Sequence, residues 1–238
     1  MPEPVTFYAP LAGHLATWSS VTVDVTSDDG DASVPLPCDP VDLYVLADPE
    51  TSIDSAALLR EPVIADPPYW AIVWTGARAL AATIASSPDI AGTRTLDLGC
   101  GLGLSGLVAA RSGAFVTFGD YLDEPLAFVR ATLTRSQQKE SVVAKIDFTR
   151  ADDDGSRYDV ILAADIVYDP AHYRPLADYL DLHLSPAGRI FLTESLRADA
   201  SVFLAGMIER GFSDEKRALR VIEDGRRERT WLHELARS

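Results

Sequence analysis

The stretch TRTLDLGCGLG, residues 93–103, decides the fold. Thr95-Leu96-Asp97-Leu98 reads as a buried strand that runs straight into Gly99-Cys100-Gly101-Leu102-Gly103, and the apolar run 104–110 behind it has helix-forming content. Strand, glycine turn and helix in that order make the nucleotide-binding corner of an open parallel α/β sheet. Glycines let the backbone pass close to a ligand without Cβ clashes. Asp97 sits inside the apolar strand, where a carboxylate is costly unless it binds something.

Two ligands fit this corner. Gly101, Gly103 and Gly106 match the dinucleotide fingerprint, which places pyrophosphate at the helix N-terminus. Asp97, Gly99, Gly101 and Gly103, at every second position, match the turn that cradles the amino-acid and ribose parts of S-adenosylmethionine (SAM). The next strand, near 115–119, ends at Gly119-Asp120-Tyr121. A carboxylate at that tip accepts from both ribose hydroxyls, so Asp120 supports an adenosine-type ligand without naming it.

Working outward, strands are predicted near 94–98, 115–119, 142–147, 159–164 and 189–194, and helices near 76–85, 104–112, 123–137, 172–184 and 199–210. Such alternation means a parallel sheet with helices on both faces. Segments 217–223 and 227–235 flank Asp224-Gly225 and read as a closing antiparallel hairpin. Upstream, 21–25 and 41–47 read as strands around a polar turn at 27–31, 52–59 as a short helix, and 62–68 as a loop. Asp152-Asp153-Asp154-Gly155 reads as an exposed loop.

Two more segments narrow the reading. PYWAIVW, 68–74, precedes the alanine-rich helix, and ADIVYD, 164–169, closes a buried strand. With DLGCGLG and Gly119-Asp120 they resemble, from about residue 41 to the end, the seven-β-strand methyltransferases of family 16, the lysine-methyltransferase-like group. That group includes the bacterial enzyme acting on lysines of the electron transfer flavoprotein β-subunit. The resemblance implies a Rossmann-like, doubly wound, mostly parallel seven-stranded α/β sheet with an antiparallel C-terminal hairpin and a small N-terminal cap. It implies one domain over 1–238, with 1–65 as extension or cap and 66–238 as the SAM-binding core.

The implied site follows the strand tips. Asp97, Gly99, Cys100, Gly101, Gly103 and Leu104 of the first tip, and Asp120 with Tyr121 of the second, are expected to hold SAM. Asp147 and Phe148 follow the third strand, where they approach the adenine; Phe148 stands where the family often has Trp, keeping a ring but not the indole donor. Ala164 ends the fourth strand, and the resemblance puts Trp74 beside the cofactor and Tyr69-Trp70 over the substrate. Trp70 and Trp74 would share a face if the segment were helical. Asp165 and Tyr168 form the Asp-x-x-Tyr pattern that looks like the group's lysine-methylating signature, and Glu194 at the fifth strand's end is a candidate for the acceptor pocket.

Composition sets the remaining bounds. Apolar residues make up 47% of the 238, as in a globular protein. No apolar run reaches the ~18 residues that span a bilayer, and the N-terminus lacks the basic stretch of a secretory leader. Cys38 and Cys100 are the only cysteines; a disulfide is not expected and a reducing cytoplasm is. The formal net charge of −15 repels nucleic acid and favours a basic partner, such as a lysine-rich protein surface. A monomer with no membrane partner is expected. His14, His172, His183 and His233 lack metal-ligand spacing, so no metal is expected, and His172 reads as a surface residue. Ser105 lacks the spacing of a nucleophile elbow. The expected product of transfer is S-adenosylhomocysteine. Three alternatives stay open: a small-molecule N- or O-methyltransferase, an NAD-dependent oxidoreductase, and a non-catalytic scaffold of the same fold.

Overall fold

The computed structural model describes residues 8–28, 33–48, 68–138, 140–150, 154–195 and 200–238. Five short strands come first: β1 (Tyr8–Leu11), β2 (His14–Val21), β3 (Val25–Asp28), β4 (Ser33–Leu36) and β5 (Val41–Leu46). Helix α1 (Thr75–Ala85) then leads into β6 (Arg94–Leu98), α2 (Leu104–Arg111), β7 (Phe115–Asp120), α3 (Asp123–Arg135) and β8 (Val142–Lys145). The second half alternates β9 (Tyr158–Ala164), α4 (Tyr173–His183), β10 (Leu184–Ser195) and α5 (Ser201–Glu209) before the hairpin β11 (Phe212–Glu223) and β12 (Arg226–Arg237).

The main sheet has nine strands in the order β4-β3-β11-β12-β10-β9-β6-β7-β8. The five from β10 to β8 run parallel, and the order reverses between β6 and β9, the switch point where open α/β sheets bind ligands. The seven strands from β11 to β8 are those the sequence implies. β3 and β4 are additional: β3 pairs antiparallel with β11 through Val25↔Val221 and its neighbours.

Burial explains the layers. In β9, Val160 and Leu162 join the cluster that includes α1, α2 and α3, whereas Ile161 and Ala163 join the cluster with α4 and α5. A strand covered on both faces reads as a continuous apolar run, which is what residues 160–164 are. Helix α1 is built of alanines with Leu80 and Ile84, all fully buried at Ala79, Leu80, Ala81, Ala82 and Ile84. Small side chains let it lie close against the sheet and α2.

The N-terminal region differs from the expected single cap. β1, β2 and β5 form a separate three-stranded sheet, while β3 and β4 extend the main one. The strand expected over 21–25 is therefore divided, because β2 ends at Val21 and the chain crosses to the other sheet before β3 starts at Val25. Val21, Val23 and Val25 still alternate as buried positions. The small sheet docks on α3, where Arg135 lies over the Trp18 ring at 4.5 Å and the Thr132 hydroxyl accepts from the Tyr44 N–H at 3.0 Å. The expected helix at 52–59, nearly all of the 62–68 loop, and 151–153 lie outside the described residues. β8 stops at Lys145, short of the predicted end, because Asp147 Oδ1 accepts from both the N–H and the hydroxyl of Thr149 and turns the chain. The closing hairpin is as read, with Asp224 (φ 48) and Gly225 (φ 75) both in the left-handed region that a tight turn of this kind requires.

Arg78, on α1, joins these pieces: Nη2 pairs with Glu223 at 2.6 Å and Nη1 donates to the Thr22 carbonyl. Its side chain is 12% exposed but that of Glu223 is 42% exposed, so water still screens the pair. A partly exposed ion pair contributes about 1 kcal/mol or less, and Arg78→Met should lower stability by about that amount in urea denaturation. An unchanged midpoint would mean that the N-terminal strands are held by apolar packing alone.

Candidate active site

The site starts at the exit of β6. Gly99 (φ 63), Gly101 (φ 51) and Gly103 (φ 80) all take left-handed backbone, so every second residue of the turn must be one that tolerates positive φ. Two carboxylates hold this turn. Asp97 Oδ2 accepts from the Gly106 N–H at 2.9 Å, bracing the first turn of α2 from beneath. Asp120 Oδ2 accepts from the Gly101 N–H and Oδ1 from the Leu122 N–H, both at 3.1 Å.

Burial pushes the Asp97 carboxyl up to about 7; the Gly106 bond opposes the rise and the Asp120 charge adds to it. Burial likewise raises Asp120, against the backbone N–H bonds of Leu122, Gly101 and Tyr121. The Cys100 thiol is driven well up by burial and by both carboxylates, and so stays protonated.

The walls come from three other segments. Tyr69–Ala71 forms one 3₁₀ turn, and the Trp74 indole N–H donates to the Tyr69 carbonyl at 2.8 Å. Trp70 turns inward onto Phe128 (centroids 5.2 Å) and His14 (5.4 Å). Trp70 and Trp74 thus share no helix face: Trp74 caps the start of α1, and Trp70 packs its ring in the core. Beyond the tip of β8, Phe148 meets the His172 ring edge-on at 5.8 Å. On the opposite side, Asp165 follows β9 with a left-handed backbone (φ 53). Its N–H donates to the Thr193 carbonyl at 3.0 Å, and its Oδ2 accepts from the Gly76 N–H in the first turn of α1 at 2.8 Å. Tyr168 is 49% exposed, its ring edge-on to Tyr69 at 5.7 Å.

Together these residues enclose a cavity of about 290 Å³. Of those picked from the sequence, Tyr69, Trp70, Trp74, Gly99, Cys100, Gly101, Gly103, Leu104, Asp120, Tyr121, Asp147, Phe148, Ala164, Asp165 and Tyr168 line it. Asp97 does not; at 2% exposed it supports the turn from below instead of facing the cavity. Glu194 does not either. It points to the far side of β10, where Oε1 lies 3.3 Å from His233 Nε2 and 3.6 Å from Lys216 Nζ, and Oε2 accepts from the Ala200 N–H at 3.2 Å. Burial alone would raise the Glu194 carboxyl, but the bond and charge of His233, with Ala200 and Lys216, hold it low. Burial would lower His233, yet Asp214 and Glu194 hold it raised.

Ile72, Val73, Ala77, Leu102, Leu122, Thr149, Ile166 and His172 also line the cavity and were not read from the sequence. Most are apolar wall, which carries no signature. His172 is the exception: it stands on the cavity wall, and its nearness to the Asp-x-x-Tyr run was the available clue.

Among the described residues, the wall carries the carboxylates Asp120, Asp147 and Asp165 and no lysine or arginine. Such a lining suits a ligand bearing a sulfonium and an ammonium; a pyrophosphate would meet like charge with no cation to offset it. No group of three or more metal-ligating side chains occurs among the described residues, nor does any helix long and apolar enough to cross a membrane. Both cysteines are free.

Strand order and cavity define the Rossmann-like fold of SAM-dependent methyltransferases. Magnesium protoporphyrin IX methyltransferase from Synechocystis, solved with bound SAM, superposes with a TM-score of 0.56 at 15% identity, covering 80% of this chain and 94% of that one. The family model described as lysine methyltransferase matches residues 70–210. The chain belongs to that family. It is 32% identical over 133 residues to the electron transfer flavoprotein beta subunit lysine methyltransferase of Danio rerio, covering 56% of this chain and 50% of the relative. It is 27% identical over 109 residues to the histidine protein methyltransferase 1 homolog of Dictyostelium discoideum, covering 44% and 35%. The chain spans about half the length, or less, of these curated relatives.

The raised Asp97 carboxyl makes a pH test. A group whose folded value lies above its unfolded value of about 3.9 stabilises the fold at low pH and loses that contribution as pH climbs towards the folded value. Asp97→Asn keeps an acceptor for Gly106 and removes the titration. In cofactor-free protein, the stability of the Asn variant relative to the native chain should therefore climb between about pH 4 and pH 7 and level off above, read by urea denaturation. A difference independent of pH would contradict the raised value.

Proposed function

We propose that the protein transfers a methyl group from SAM to the side-chain amine of a lysine on another protein. The observation that carries this is the pairing of a cavity whose described lining bears carboxylates and no lysine or arginine with Asp165 and Tyr168 on its wall, in a chain of the lysine methyltransferase family. Asp120 would accept from the ribose hydroxyls, and the glycine turn would receive the amino-acid part of SAM. Asp147 and Phe148 would flank the adenine, and Trp74 would close the wall. Each carboxylate oxygen has two lone pairs, so the backbone bonds already made by Asp120 leave acceptor capacity.

When bound, SAM supplies an electrophilic methyl on a sulfonium, displaced in line. The acceptor amine must arrive with a lone pair, so a lysine ammonium first gives up a proton. Asp165 receives the incoming ammonium by a charged hydrogen bond, and the proton leaves to water at the exposed rim. Tyr168 and Tyr69, ring edge to ring face, orient the amine and shield it from water. Alignment and water exclusion carry most of the acceleration.

The same reading takes 1–238 as one domain, with 1–65 built onto the core at 66–238. It takes the protein as a cytoplasmic monomer that uses no metal and binds no nucleic acid. The free cysteines, the net charge of −15 and the lining of the cavity support these points. A histidine acceptor is the second reading, favoured by the Dictyostelium relative.

Methyl-tritiated SAM added to a desalted lysate of the source cells tests the proposal. A discrete labelled protein band is expected, whose hydrolysate contains methyl-lysine. Asp165→Asn retains an acceptor for the Gly76 N–H, so the wall of α1 should stay in place. Asp165→Asn should bind S-adenosylhomocysteine within about twofold of the native chain and label the band about 10²-fold more slowly, the scale of a lost positioning contact. Tyr168→Phe should fall between. Methyl-histidine would establish the second reading, and label confined to the acid-soluble fraction would move the acceptor to small molecules.

A further inference from the structure

The closing hairpin carries a cationic platform on an otherwise acidic protein. The pairs Ile222↔Arg227, Arg220↔Arg229, Ala218↔Trp231 and Lys216↔His233 put alternate residues of β11 and β12 on one face. Lys216, Arg220, Arg227 and Arg229 are exposed there around Trp231. Lys216 Nζ lies 4.1 Å from the Trp231 ring centre and Arg229 Cζ 4.4 Å, so the indole holds two cations in place. Arg220 and Arg229 both lean on Asp28, at 3.1 Å and 3.7 Å, and Lys216 on Glu194. Among the described residues, Lys216, Arg220 and Arg229 thus pair with two carboxylates, Glu194 and Asp28, in a chain whose formal charge is −15.

The platform lies on the face that Glu194 shares, turned away from the Asp165 carboxyl, but the hairpin continues past the end of β10, where Ser195 pairs with Thr230, at the same strand-tip edge that carries the cavity. Trp231 pairs across the ladder with Glu194, the residue after Thr193, whose carbonyl accepts from the Asp165 N–H. On the hairpin's opposite face, Glu228 Oε2 accepts from the Thr75 hydroxyl at 2.7 Å, beside Trp74 of the cavity wall. Both faces of the hairpin are therefore tied to the elements that hold Asp165.

Resting on the reading of a protein acceptor, we propose that this Lys216–Trp231–Arg229 ladder, with Arg220 and Arg227, docks an acidic segment of that acceptor and so delivers its lysine to Asp165. Nucleic acid fits less well. The carboxylates of Asp28 and Glu194 lie among the cations, so the patch offsets a few acidic side chains and presents no continuous track for a phosphate backbone. The platform also reverses the partner preference that the net charge alone suggests: the docking segment is acidic although the chain is acidic overall.

The test uses the full chain and two probes, fluorescein-labelled octaglutamate and octauridylate, read by anisotropy in low salt. Octaglutamate should bind the native chain, weaken as salt rises, and bind Arg227→Glu at least tenfold more weakly. Arg229→Gln, a milder change that keeps a polar neighbour for Asp28, should weaken it several-fold and guards against a misfolded reversal. Against the labelled acceptor band, Arg227→Glu should raise the apparent KM about tenfold and leave both the maximal rate and S-adenosylhomocysteine affinity unchanged. Tighter binding of octauridylate than of octaglutamate, or an unchanged KM in both variants, overturns the proposal. Absence of any labelled protein with the native chain would instead remove the protein-acceptor reading on which it rests.

Discussion

One hydrogen bond holds the working end of this protein together: the Gly76 N–H donates to Asp165 Oδ2 at 2.8 Å. It joins the carboxyl tip of β9 to the first turn of α1, where unpaired N–H groups and the helix dipole favour a carboxylate. The fit leaves no slack. A Cβ at residue 76 would lie 2.4 Å from that carboxylate oxygen and 2.6 Å from the Thr193 hydroxyl, so only glycine serves there. Asp165 reaches it from a left-handed backbone, a conformation that aspartate adopts more readily than most residues. Trp74 immediately precedes α1 and bonds to Tyr69, and Tyr69 meets Tyr168. The Asp165 carboxylate, the helix and the aromatic wall are therefore joined by direct contacts.

Charge is distributed with equal consequence. Asp97 and Asp120 sit on neighbouring strands under the same glycine turn, yet their surroundings separate them. Asp97, fully enclosed with the Gly106 N–H as its backbone donor, has its carboxyl raised to about 7. Asp120 reaches the cavity wall and is steadied by three backbone N–H groups. One carboxylate is built into the support and the other lines the cavity. The acidic lining of the cavity suits a cationic cofactor and a lysine ammonium, while the basic hairpin stands outside it, where a protein partner would arrive.

Much of this was legible in the sequence, for definite reasons. Glycines at every second position over 99–103 and apolar runs ending in Asp120 and Asp165 mark strand tips, and tips are where this architecture binds ligands. The misses have equally definite causes. A carboxylate in a buried strand can be satisfied by a ligand or by a backbone N–H, and residue spacing does not distinguish them; Asp97 took the N–H. Glu194 lies at a strand tip as expected, but strand residues alternate faces. Thr193 faces α1 and Asp165, so Glu194 points away, to His233 and Lys216. The condition for Trp70 and Trp74 to share a face is not met, because residues 69–71 form a single 3₁₀ turn before the chain extends through Ile72. The crossing of the N-terminal chain from one sheet to the other depends on pairing between Val25 and Val221, a separation that no local pattern records.

The central claim is that the cavity between β6, β7 and β9, whose described lining carries carboxylates and no lysine or arginine, accepts SAM and refuses a pyrophosphate. Calorimetric titration of the full chain with S-adenosylhomocysteine and, separately, with NAD tests it most directly. The account predicts one S-adenosylhomocysteine bound per chain, and no saturable heat with NAD at a hundredfold excess over the concentration that saturates the first ligand. Saturable NAD binding of equal or greater affinity, or a folded protein that takes up no S-adenosylhomocysteine, would contradict it.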